Sequence, residues 1–79
     1  MSSFSVRVVN SDDKPRKGVR VGANFGVLRG SASGYTDSDG WAILRMRDNA
    51  SAEIYVDGES QGTHYVTDGE TFSFTVDYS

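Results

Sequence analysis

Apolar residues in this chain recur at every second position, in short runs broken by glycine, asparagine and aspartate. That period excludes most folds, because side chains alternate between the two sides of a strand, whereas a helix needs i, i+3, i+4 spacing. Phe4, Val6 and Val8 share one side of the first run. Val19, Val21, Ala23 and Phe25 point inward in the second, with Arg20 and Asn24 outward. Ile54 and Val56 are inward in the run from Ala52 to Asp57, with Tyr55 outward, and Phe72, Phe74 and Val76 line the last run. No segment holds a helical pattern for three turns.

The punctuation is as informative as the runs. Asn10 to Gly18 is turn chemistry around the single proline, Pro15. Asp37-Ser-Asp-Gly40 predicts a tight turn between a short strand at Tyr35-Thr36 and a return strand from Trp41 to Met46. Gly26 to Gly34 reads as a glycine- and serine-rich loop, Asp48-Asn49 as a bend, Gly58 to Gly62 as a turn, and Asp68-Gly69 as another. Seven short strands at this spacing predict one all-β domain over residues 1–79, a seven-stranded antiparallel β-sandwich. A chain of 79 residues has a thin core and no room for a cleft between lobes.

Composition removes several function classes. The chain has no cysteine and one histidine, so thiol chemistry, disulfides and multi-histidine metal sites are excluded. The start, Met-Ser-Ser-Phe-Ser-Val-Arg, lacks a basic region followed by an apolar run, and nothing approaches the length of an apolar membrane span. These features predict a cytoplasmic chain with no membrane insertion, unless it is excised from a larger envelope or surface protein. A net charge of −3 argues against nucleic acid as a partner. That charge is unevenly spread: residues 1–47 hold all eight basic residues and four acids, and residues 48–79 hold seven acids and no Lys or Arg. Strands of the two halves interleaving in one sheet would cancel the asymmetry; a bipolar molecule would use it to associate.

Asp13-Lys-Pro-Arg-Lys-Gly-Val-Arg-Val21, followed by Tyr35-Thr-Asp-Ser-Asp-Gly-Trp-Ala-Ile-Leu44, resembles carboxypeptidase-regulatory or transthyretin-like β-sandwich domains. Asp13 stands where that pattern has its first glycine. Ala52 to Thr63, with Asp68-Gly-Glu-Thr71, is similar to PEGA-type surface domains. The resemblance implies an Ig-like or prealbumin-like sandwich serving as a non-catalytic accessory, adhesive or stalk module. It further implies that Ala42, Leu44 and Met46 face the core, which turns Trp41, Ile43 and Arg45 outward. The opposite alternation, with Trp41 and Ile43 buried, would give a thin core more apolar area.

No catalytic constellation emerges. The chain ends Val-Asp-Tyr-Ser rather than in the Tyr-Arg-Gly-Ser of transthyretin-like hydrolases, and Gly30-Ser-Ala-Ser-Gly34 has Ala32 where a nucleophile elbow needs its nucleophile. Asp37-Ser-Asp-Gly40 lacks the further ligands of a calcium loop. The expectation is a non-enzymatic module without metal or cofactor that binds another protein or self-associates through sheet edges. It would work as an assembly component or as a small intracellular inhibitor with an acidic face. The candidate contacts are an exposed cluster of Trp41, Ile43, Arg45 and Tyr55, and the loop tip Val27, Leu28 and Arg29. A carbohydrate-binding accessory module using Trp41 and Tyr55 is the alternative.

Overall fold

The computed structural model describes residues 2–26 and 30–76. Seven strands run in chain order: β1 Ser2–Val9, β2 Arg20–Asn24, β3 Ser31–Tyr35, β4 Trp41–Met46, β5 Ala50–Val56, β6 Glu59–Val66 and β7 Thr71–Thr75. They form two packed sheets, a three-stranded one in the order β4-β1-β7 and a four-stranded one in the order β3-β2-β5-β6. The architecture is an all-β sandwich. One pairing departs from the antiparallel rule: β1 and β7 run parallel, with Ser5 opposite Thr71 and Val9 opposite Thr75. No helix long and apolar enough to cross a membrane occurs among the described residues.

The inward parity follows the alternation. Phe4, Val6 and Val8 of β1 meet Val21 and Ala23 of β2, Ala42, Leu44 and Met46 of β4, and Ala52, Ile54 and Val56 of β5, all buried. An aromatic chain runs through one end of this core. Phe4 packs edge-on against Phe25 at 6.4 Å and Phe72 at 6.1 Å, and His64 of β6 lies 5.4 Å from Phe72 and 5.9 Å from Phe74. His64 thus packs β6 onto β7 between the sheets, and its Nε2 meets the Gln61 carbonyl oxygen at 2.9 Å.

Three sequence expectations are corrected. Ser31–Gly34 is not loop: it belongs to β3, paired with β2 from Asn24↔Ser31 to Arg20↔Tyr35. Hydrogen bonds from Phe25 N–H to Gly30 O and from Gly30 N–H to Gly26 O, both 2.9 Å, close the shorter connection. Gly58–Gly62 is not one turn. The chain reverses at Asp57-Gly58, and the pairing of β5 with β6 slips between Glu53↔Thr63 and Tyr55↔Ser60, with Gly62 at φ +87° in the slipped segment. Gly62 marks a bulge, where one strand carries an extra residue. Third, β5 begins at Ala50, directly after the Asp48-Asn49 bend and two residues before the run from Ala52.

Strands of the two halves share both sheets: β5 and β6, from the acidic half, join β2 and β3, and β7 joins β1 and β4 in the three-stranded sheet. The acids of that half sit mainly in turns, so the outward positions of this sheet are Ser3, Ser5, Arg7, Trp41, Ile43, Arg45, Thr71, Ser73 and Thr75, without a carboxylate.

Candidate functional site

The resemblance-bearing segments are joined by one side chain. Thr36, buried, accepts from the Val19 N–H at 2.9 Å and donates to the Arg16 carbonyl oxygen at 2.5 Å. The Asp37 carboxylate accepts from the backbone N–H groups of Asp39 at 2.9 Å and Trp41 at 3.0 Å, closing the turn that delivers β4. One carboxylate oxygen is therefore committed to the backbone, as a turn needs.

β4 places Trp41, Ile43 and Arg45 on the outer face of the three-stranded sheet, the orientation that the resemblance implies. Ile43 is 69% exposed, Arg45 is exposed and Trp41 is half-buried. In the register Trp41 lies opposite Arg7, Ile43 opposite Ser5 and Arg45 opposite Ser3. Arg7, on the central strand, has a buried Nε without a hydrogen-bond acceptor among the described residues. The face combines an indole, an exposed branched aliphatic and two guanidinium groups over small hydroxyl residues. Arg45 also borders a hollow of about 270 Å³ with Phe25 and Arg47.

Tyr55 does not join this cluster. It stands on β5, on the outer face of the other sheet, so the core separates it from Trp41. The expected single Trp–Ile–Tyr surface is therefore two surfaces. Val27, Leu28 and Arg29 lie outside the described residues.

Around Tyr55 the structure assembles residues that sequence reasoning left unassigned. The register sets Gly22 between Ser33 and Tyr55, and Asn24 between Ser31 and Glu53. Arg20, Gly22, Asn24, Ser31, Ser33 and Tyr55 are among the residues that line an open trough of about 630 Å³. Tyr35 and Tyr65, 68% and 62% exposed, stand on β3 and β6 of the same sheet. The outward parity of Arg20 and Asn24 already implied an outward Gly22. Ser31 and Ser33 could not be found without the strand that carries them.

Tyr55 is held by electrostatics. The Ser60 hydroxyl donates to Glu53 Oε2 at 2.6 Å, a contact that the bulge makes by setting Ser60 opposite Tyr55. That bond, then a second from the Tyr55 hydroxyl, holds the Glu53 carboxyl below its ordinary value of 4.5, against a small opposing cost of burial. The same bond to Glu53 raises the Tyr55 phenol above 10.0, with burial and the carboxylate's charge adding to it. Tyr55's contribution to stability is complete below the ordinary tyrosine range and is lost as pH rises through its raised value. Glu53's is complete above the ordinary carboxylate range and is lost as pH falls through its lowered value. Glu53→Gln removes the negative charge that the phenolate would face. We expect one tyrosine to titrate at lower pH in this variant, read from tyrosinate absorbance; an unchanged titration would show that the Glu53–Tyr55 bond does not persist in solution.

No family model matches the chain and no curated protein matches it. Its backbone is similar to part of the crystal structure of a 9R-lipoxygenase from Cyanothece PCC8801, with a TM-score of 0.60 and 16% sequence identity. The similarity covers 98% of this chain and 16% of that one, so the chain spans about one-sixth of the lipoxygenase's length. At this identity, the shared feature is the β-sandwich fold.

Proposed function

We propose that this domain is a non-enzymatic protein-binding module of the Ig-like, transthyretin-like kind, and that it engages its partner through the outer face of the β4-β1-β7 sheet. The observation that carries this reading is the exposure of Ile43, 69% free beside Trp41, on a face with two arginines and no outward carboxylate. Tryptophan and arginine are the residue types that most often dominate interface energies. A partner surface that is apolar at its centre and acidic at its rim complements this face. The transthyretin-like assignment is supported by Thr36, whose hydrogen bonds tie together the two segments that carry the resemblance. The acidic half supports the inhibitor role less directly, because its carboxylates are dispersed over several turns. Assembly through free strand edges remains compatible with the same face, since β4 is itself an edge strand.

Ile43→Asp tests the reading. The side chain is exposed, so the fold should lose no more than about 0.5–1 kcal/mol. We expect the variant to lose a stoichiometric protein partner, or self-association in sedimentation, that the original chain retains. The loss should be about 30-fold or more in affinity, the scale of a hot-spot residue. Trp41 emission, quenched readily by a soluble quencher in the free protein, should become shielded on binding. Unchanged interactions in Ile43→Asp would overturn the assignment of this face.

A further inference from the structure

Gly22 occupies the middle of β2, paired on both sides within its sheet. Glycine in a strand interior weakens the strand and usually has a local reason: a bulge, a positive φ, or another backbone passing close. Gly40 has two such reasons, a φ of +82° and the Val8 carbonyl oxygen 2.6 Å from where a Cβ would sit. Gly22 has none of these. Its φ is not positive, and a Cβ would meet only the Ala32 carbonyl oxygen, at the ordinary contact distance of 3.7 Å. The fold accepts a side chain at this position, and the absence of one forms the floor of the trough beside Tyr55.

We infer that this trough is a carbohydrate-binding site, taking one or two pyranose rings against the Tyr55 ring. Its volume of about 630 Å³ falls within the roughly 300–1,000 Å³ of small-molecule sites. The site lies on a sheet face, where backbone groups are spent on the ladder, so recognition falls to side chains; an extended peptide would instead pair along a free edge. The side chains present suit a polyol. Tyr55 offers an aromatic surface. Asn24 Oδ1 accepts from the Gly26 N–H at 2.9 Å, leaving its NH2 group to donate. Ser31 and Ser33 carry hydroxyls without partners among the described residues, and Arg20 is the charged residue of the described lining. Arg20 can donate to a sugar hydroxyl or to a sugar carboxylate. The site is independent of the Trp41 face, across the sandwich.

The test is amide chemical-shift mapping of the full chain with five probes: glucose, galactose, mannose, N-acetylglucosamine and glucuronate. Each is added to about 50 mM, enough to saturate a site with a Kd of about 1 mM. We expect at least one probe to give saturable shifts at Gly22, Asn24, Ser33 and Tyr55. Gly22→Thr should keep a dispersed spectrum and a melting temperature equal to or above the original, because threonine suits a strand and its Cβ fits. It should weaken binding at least tenfold by filling the floor. Tyr55→Leu, which keeps bulk and removes the ring, should do the same. No saturable shift with any probe, shifts mapping to Trp41 and Ile43 instead, or equal binding by Gly22→Thr would each overturn the inference.

Discussion

Phe4→Ala is expected to cost about 3–5 kcal/mol, a large share of the stability of the domain. Phe4 is 1% exposed and sits between Phe25 and Phe72, with edge-on ring contacts to both. Removing it empties the point where β1, the end of β2 and β7 meet. Stability scales at about 0.05–0.15 kcal/mol per residue, so a chain of this length holds roughly 4–12 kcal/mol in total. A small sandwich has few other side chains to close over such a void. Urea unfolding followed by circular dichroism should show a midpoint reduced by half or more, or no folded baseline at all. Phe74→Ala, at a half-buried position on the same inner face, should cost less. Equal losses for the two would mean that the aromatic chain is not centred on Phe4.

Gly40→Ala should destabilise by about 3–4 kcal/mol, for two reasons that a control separates. Gly40 has φ +82°, and an added Cβ would lie 2.6 Å from the Val8 carbonyl oxygen and 3.0 Å from Pro15 Cβ. The backbone costs about 1–2 kcal/mol for any L side chain in the left-handed region. The rest comes from the clash, which must push the Asp37–Gly40 turn off β1 and lengthen the 2.8 Å bond from Val8 N–H to Gly40 O. Gly58 has φ +83° with nothing within 4 Å of an added Cβ, so Gly58→Ala incurs the first cost without the second. Thermal unfolding of the pair should place Gly40→Ala well below Gly58→Ala. Matching melting temperatures would mean that the turn does not pack onto β1.

Much of the fold was legible because alternation encodes which side of a strand faces in. β1 read directly, with Phe4, Val6 and Val8 all buried; on β4 the alternation left either face open, and the resemblance implied the inward Ala42, Leu44 and Met46 that are buried here. β3 was illegible because Ser-Ala-Ser-Gly-Tyr has no branched aliphatic side chain and strand preference depends heavily on neighbours. It is a strand because β2 offers a complete ladder for it. Gly62 misled for a related reason, since a bulge and a turn both use glycine at positive φ. Parity does not reveal which strands share a sheet. Trp41 and Tyr55 could each be judged outward, yet their separation by the core follows only from β4 pairing with β1 and β5 with β2. The trough was half legible: Arg20, Gly22 and Asn24 have one parity, but the room above Gly22 depends on the small residues of β3.

The parallel pairing of β1 with β7 has a mechanical consequence. Ser2 opens one end of the three-stranded sheet, and Val76 leaves from the other, beside Val9. A pull applied between these two points drags β7 lengthwise along β1. The ladder from Ser5↔Thr71 to Val9↔Thr75 is then loaded in shear, all rungs together, and cannot be peeled open one rung at a time. The four-stranded sheet lies outside that line of force until the ladder parts. Set within a longer polypeptide under tension, this sandwich would transmit load through two strands while both outer faces kept their shape.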